Sequence, residues 1–125
     1  MVKKEGVNVV IVEDDRDYCA LLRAMLKYGG HRVVEELTWV ATAMNAVNEF
    51  GKQRVNVITL DQDLFGGDVV RAGFIKAVRK QVPDVKIIGM SGCEIMGGEV
   101  DTDLTKTGLC ILNTTIARLI SKSKQ

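Results

Sequence analysis

Four stretches of the chain are apolar with little alternation, and three of them stop at a polar residue. Val7-Asn-Val-Val-Ile-Val12 runs into Glu13-Asp14-Asp15, Val55-Asn-Val-Ile-Thr-Leu60 into Asp61, and Val85-Lys-Ile-Ile-Gly-Met90 into Ser91-Gly92. Val33 and Val34 carry a shorter run after the Gly29-Gly30 break. Apolar runs of this kind suit strands that helices cover on both faces. A fifth, weaker strand is expected between Val100 and Thr105, just before Lys106. It is weak because it contains Asp101 and Asp103.

Helical stripes lie between the strands. Tyr18, Leu22, Met25 and Leu26 share one face, with Asp15 as the cap and Gly29-Gly30 as the stop. Val40, Ala43, Met44, Val47 and Phe50 form a second stripe, capped by Thr38 and stopped by Gly51. Phe74, Ile75, Val78 and Val82 form a third, ended by Pro83; Leu109, Leu112, Ile116, Leu119 and Ile120 form the last. The stretch from Ser91 to Lys106 holds Gly92, Gly97 and Gly98, so the helix expected there is short or irregular. Strand and helix alternate about five times. That pattern predicts a doubly wound α/β fold built from right-handed crossovers around a parallel sheet. The 125 residues read as one domain, with its core at about residues 7–121 and no linker or repeat.

Composition narrows the picture only a little. Apolar residues make up 46% of the chain, and the formal net charge is +1, which gives no general pull toward nucleic acid or an anionic membrane. The basic residues at the ends (Lys3, Lys4, Lys122 and Lys124) read as solubilising. The three cysteines, Cys19, Cys93 and Cys110, are odd in number and lack C-x-x-C spacing, which predicts reduced thiols in a cytoplasmic protein. No apolar run is long enough for a membrane span or a signal-peptide core. His31 and Trp39 are expected to be structural. After the last helix only Ser121-Lys-Ser-Lys-Gln125 remains, so no output region is expected on this chain.

In an open α/β sheet, ligands bind beyond the carboxyl ends of the strands. Here those ends carry Glu13 and Asp14, then Asp61, then Ser91, then Lys106. One acid after a strand is ordinary turn chemistry. Acid, acid, hydroxyl and amine on four strand ends together form a pattern, and it resembles that of response-regulator receiver domains. Val-Val-Ile-Val-Glu13-Asp14-Asp15 is similar to their acidic-pair strand. Asn56-Val-Ile-Thr-Leu-Asp61 is similar to their phosphoacceptor strand. Ile-Ile-Gly-Met-Ser91-Gly92 is similar to the strand ending in their Ser or Thr, and Leu104-Thr-Lys106 to the strand with their lysine.

The resemblance implies a flavodoxin-like (βα)5 fold with sheet order 2-1-3-4-5, and a phosphoryl group accepted on Asp61. Clustered carboxylates repel one another, and a hard divalent cation removes that penalty. Magnesium is therefore expected on Asp14 and Asp61, with Glu13 acting through water; the resemblance adds the backbone carbonyl of Asp63. Ser91 and Lys106 would hold phosphoryl oxygens. The implied donor is a sensor histidine kinase or a histidine phosphotransfer protein in a bacterial two-component system. An unidentified protein is the implied target, and the oligomeric state is left open.

The chain also departs from that pattern. Gln-Asp63-Leu-Phe-Gly66-Gly67 after Asp61 lacks the usual proline and reads as a long, flexible loop. Asp103 stands where the family often has an aromatic switch residue, and Thr107, not proline, follows Lys106. Two other readings stay open. Asp61-Gln-Asp63 also resembles the D-x-D start of haloacid-dehalogenase-like phosphohydrolases, in which the second Asp is a general acid/base. A degenerate receiver that only binds a protein partner would equally carry the irregular loops.

Overall fold

The computed structural model describes residues 6–123. Lys3, Lys4 and Lys124 lie outside the described residues. The strands are β1 (Asn8–Val12), β2 (Arg32–Leu37), β3 (Val57–Leu60), β4 (Asp63–Leu64), β5 (Gly67–Asp68), β6 (Lys86–Gly89) and β7 (Thr102–Asp103). The helices are α1 (Arg16–Tyr28), α2 (Val40–Ala46), α3 (Phe74–Gln81) and α4 (Leu112–Ser123), with single 3-10 stretches at Val47–Glu49 and Lys106–Ile111. Five strands form a parallel sheet in the order β2-β1-β3-β6-β7. Setting aside the small β4–β5 hairpin, this is the expected 2-1-3-4-5 order.

Burial follows from the apolar runs. Every residue of β3 is buried, as are Val9 to Val12 of β1. Alternate side chains point to opposite faces of a strand. Val9, Ile11, Val57 and Ile88 pack with Leu22 and Leu26 of α1 and Leu112 and Ile116 of α4. Val10, Val12, Ile58, Leu60 and Ile87 pack with Ala43 of α2, Phe50, and Phe74 and Val78 of α3. Helices on both faces therefore leave the carboxyl edge of the sheet as the open side. Thr59 is fully buried within β3, and its Oγ1 has no hydrogen-bond partner. An unmet buried hydroxyl costs about 1 kcal/mol or more. Thr59→Val, nearly the same in shape, is expected to stabilise the fold by about 1 kcal/mol in urea unfolding; a loss of stability would mean that the hydroxyl is satisfied.

Four expectations need correction. The fourth helix is not merely short: no helix occurs between β6 and β7, because the connection must return to the sheet edge within a few turns and holds three glycines. The fifth strand shrinks to Thr102–Asp103. Backbone bonds pair it with β6, and the two acids that argued against a strand brace the segment around it. Asp101 Oδ2 accepts the Ile87 N–H at 2.7 Å, and Asp103 Oδ2 accepts the Ile95 N–H at 2.6 Å. Thr38 does not cap α2; Trp39 occupies that position without a side-chain bond, and Thr38 instead gives its carbonyl to the Phe65 N–H at 3.1 Å. The loop after Asp61 is built as the antiparallel hairpin β4–β5, in which Gly66 (φ 98°) and Gly67 (φ 125°) take conformations that suit glycine alone.

Other details match the sequence reading. Asp15 Oδ1 caps α1 by accepting the Asp17 and Tyr18 N–H groups at 3.0 and 3.1 Å. His31 Nδ1 accepts the Val7 N–H at 3.1 Å, and burial lowers its pKa. Cys19 is buried, which raises its thiol pKa to about 11; Cys93 and Cys110 are exposed.

Candidate functional site

The register of the sheet assembles the site. Val12 of β1 lies beside Leu60 of β3, so the next residues, Glu13 and Asp61, end adjacent strands. The ladder continues past both ends: Asp61 N–H donates to Val12 O at 2.9 Å and Glu13 N–H to Leu37 O at 3.0 Å. Carboxylate oxygens of Glu13, Asp14 and Asp61 lie within 4.8 Å of one another. Glu13 is 1% and Asp61 6% exposed, while Asp14 is half-buried at the mouth.

Ser91 and Lys106 close the other side. β6 lies next to β3, and Ser91, just past its end, donates its hydroxyl to Asp61 Oδ1 at 2.8 Å. Lys106 Nζ lies 3.0 Å from Glu13 Oε2 and 3.4 Å from Asp61 Oδ2. The lysine backbone is fixed too, its N–H donating to Ser91 O at 2.8 Å. Glu13, Asp14, Asp61, Ser91 and Lys106 thus converge; Asp63 was expected only through its backbone carbonyl. Asp63 does not join them by its side chain. It is exposed on β4, and no described hydrogen bond or ion pair links it to the cluster.

Three residues that sequence reasoning passed over position this group. Tyr18 fits the apolar stripe of α1, yet its hydroxyl donates to Lys106 O at 2.8 Å and its ring centre lies 5.0 Å from Lys106 Nζ. Such a ring face favours a cation. Gln62, next to Asp61, binds the Met96 backbone twice: Nε2 donates to Met96 O at 2.8 Å and Oε1 accepts the Met96 N–H at 2.7 Å. Its Nε2 also reaches Asp68 Oδ2 at 2.9 Å. Thr105 has φ 56° and ψ 175°, a conformation that costs a non-glycine residue roughly 1–3 kcal/mol. Only Tyr18 carried a sequence signal, as the one hydroxyl-bearing member of its stripe.

Burial dominates the electrostatics. It pushes the Glu13 carboxyl up to about 7; sharing a hydrogen bond with Asp61 adds to this, while the Asp15 N–H and Lys106 oppose it. Glu13 Oε2 accepts the Asp15 N–H at 3.1 Å and the Lys106 ammonium, whereas its buried Oε1 has no partner. Burial alone would lower the Lys106 pKa, but Glu13 and Asp61 outweigh it and hold the ammonium above its ordinary value. Such a cluster, with its lone amine, can bind a cation or meet an anionic group.

No family model and no curated protein matches the chain. Solved structures do. The signal receiver domain of a modulated diguanylate cyclase from Desulfovibrio desulfuricans G20, described as an example of alternate folding, is similar with a TM-score of 0.77 at 22% identity, covering 96% of this chain and 98% of that one. A CheY-like response-regulator receiver domain protein from Methanospirillum hungatei JF-1 is similar with a TM-score of 0.75 at 17% identity, covering 96% and 98%. The RcsB response regulator of Salmonella typhimurium is similar with a TM-score of 0.76 at 20% identity; the match covers 95% of this chain but only 62% of that one.

Proposed function

We propose that this chain, whose fold is that of response-regulator receiver domains, accepts a phosphoryl group on Asp61 and acts as a signalling switch in the bacterial cytoplasm. The observation that carries this reading is the convergence of the Glu13, Asp14 and Asp61 carboxylates opposite one amine, Lys106. The donor would be a sensor histidine kinase or a histidine phosphotransfer protein, and the output another protein.

The donor set fits magnesium: oxygen atoms only, more than one carboxylate, and a buried Glu13 Oε1 without a partner. Asp14 and Asp61 would hold it directly, with Glu13 through water and the carbonyl of Asp63 completing the set. Magnesium, when bound, neutralises charge on the cluster and on the arriving phosphoryl group. The other roles fall to the protein. An Asp61 carboxylate oxygen attacks phosphorus, forming the new O–P bond as the bond from phosphorus to the donor's imidazole breaks. Ser91 and Lys106, which hold Asp61 Oδ1 and Oδ2 beforehand, turn to the phosphoryl oxygens. Phosphoryl transfer gains mainly from such positioning and charge stabilisation. Water then hydrolyses the acyl phosphate and resets the switch.

The phosphohydrolase reading would use Asp63 as an acid/base, but that side chain is exposed and unconnected to Asp61. Incubation with phosphoramidate and magnesium separates the two. A receiver takes up about one phosphoryl group per chain, bound as an acyl phosphate, and leaves para-nitrophenyl phosphate uncleaved. Repeated turnover of the latter would refute the switch reading. In this reading the exposed Asp63 carboxylate, two residues past Asp61, also bears on hydrolysis by orienting the attacking water. Asp63→Asn is expected to change the dephosphorylation rate of the labelled protein about threefold or more. An unchanged decay would remove Asp63 from that role.

A further inference from the structure

Residues 71–81 carry Arg71, Lys76, Arg79 and Lys80 and no acid. The whole chain has a net charge of only +1, so positive charge is concentrated here. Three of these cations, Arg71, Lys76 and Arg79, line a cavity of about 670 Å³ between α3 and the helix-free connection that follows Ser91. The cavity owes its shape to that connection. Gly98 lies so close to α3 that a Cβ there would meet Ile75 Cδ1 at 2.7 Å and Val70 Cγ1 at 2.8 Å. The connection therefore rests on two aliphatic side chains at one point and leaves a groove beside it. Arg79 is committed to Asp101, at 2.9 Å, and to the Val85 carbonyl. Lys76 has no ion pair among the described residues, and Glu99 is the one acid on the lining. Met96, 70% exposed, directly precedes the lining residue Gly97 in the chain.

We propose that this groove docks an acidic peptide segment of a partner protein, with an aliphatic side chain against Val70 and Ile75 and carboxylates on Arg71 and Lys76. Charge complementarity argues for an acidic occupant. The aliphatic floor and the absence of any aromatic ring from the lining argue for a peptide, since single-stranded nucleic acid is held by base stacking on aromatic side chains. The surface does not depend on the phosphoacceptor reading, because it exists in the chain as it stands. It is joined to Asp61 through Gln62, whose side chain holds the Met96 backbone.

The test uses the full, unphosphorylated chain and a fluorescein-labelled twelve-residue peptide of aspartates and glutamates around a central Leu-Leu pair. Fluorescence anisotropy is expected to show saturable binding. Combined Arg71→Glu and Lys76→Glu changes, both at exposed positions, should weaken it by about tenfold or more. Lys122→Glu on α4, which makes half that charge change, should leave it unchanged, whereas Lys76→Glu alone should weaken it. Replacing the Leu-Leu pair by Ser-Ser should weaken it at least severalfold, which simple charge attraction would not do. No binding to the parent chain at millimolar peptide, equal binding by parent and double variant, or tighter binding of a single-stranded oligonucleotide of equal charge would each overturn the proposal.

Discussion

Replacing Lys106 by alanine is expected to slow phosphorylation of Asp61 by about 10²–10³-fold at fixed phosphoramidate and magnesium, the usual loss when one pre-positioned charge-stabilising group is removed. Lys106 is the one cation that contacts the cluster among the described residues, at 3.0 Å from Glu13 and 3.4 Å from Asp61. Its position is determined before any phosphoryl group arrives: the Ser91 carbonyl and the Tyr18 hydroxyl fix its backbone, and the Tyr18 ring lies against its ammonium. Lys106→Arg should recover only part of the rate, because a planar guanidinium does not reproduce a compact ammonium. A Lys106→Ala rate within about threefold of the parent would remove the amine from the transfer step.

The second large effect concerns pH. Glu13 titrates at about 7 in the folded chain against 4.5 as the ordinary value, because burial and Asp61 favour its protonated form. Between those values the folded chain holds a proton that the unfolded chain has released. Stability from this group is therefore full below about 4.5 and is lost as pH rises through 7, by up to roughly 3 kcal/mol. His31 works in the opposite sense below 6.5, since its folded pKa is lowered. Comparing the parent with Glu13→Gln cancels that contribution. Urea unfolding should show the parent losing stability relative to the variant from pH 5 to pH 8 without added metal, and magnesium should restore the parent most strongly at pH 8. Parallel pH profiles for the two proteins would refute the account of Glu13 as a buried, half-matched carboxyl.

Most of the fold was legible because β1, β3 and β6 are buried on both faces and write themselves as apolar runs. The site was legible for the same reason: a chemically useful residue at a strand end breaks such a run sharply, as Glu13, Asp61 and Ser91 do. What the sequence hid has physical causes. β7 is short and braced by side-chain carboxylates, so Asp101 and Asp103 looked like reasons against it. Phe65-Gly66-Gly67 suggested a loose loop, whereas two positive-φ glycines allow the β4–β5 hairpin and bring Phe65 against Trp39, with ring centres 5.3 Å apart. Tyr18 serves both core and site, and helical spacing reports only the first. Gln62 acts on the Met96 backbone, a kind of contact that leaves no periodic signal.

The structure also relocates the interest of the irregular segment. A missing helix between β6 and β7 first suggests lost function. Yet that connection is tied to the loop after Asp61 by Gln62 and to the sheet edge by Asp103, so side chains link it to the Asp61 end of the sheet where a helix is lacking. Ser91 lies at its root, bonded to Asp61.

In the proposed function, the carboxyl ends of β1 and β3, meeting across one sheet, make Asp61 a magnesium-dependent phosphoryl acceptor. Intact-mass measurement after exposure to phosphoramidate tests it most directly. One added phosphoryl mass on the parent chain with magnesium, and none without magnesium or on Asp61→Asn, is the result this account predicts. Equal labelling of the Asp61→Asn chain, or an unlabelled parent under conditions that label another receiver domain, would contradict it.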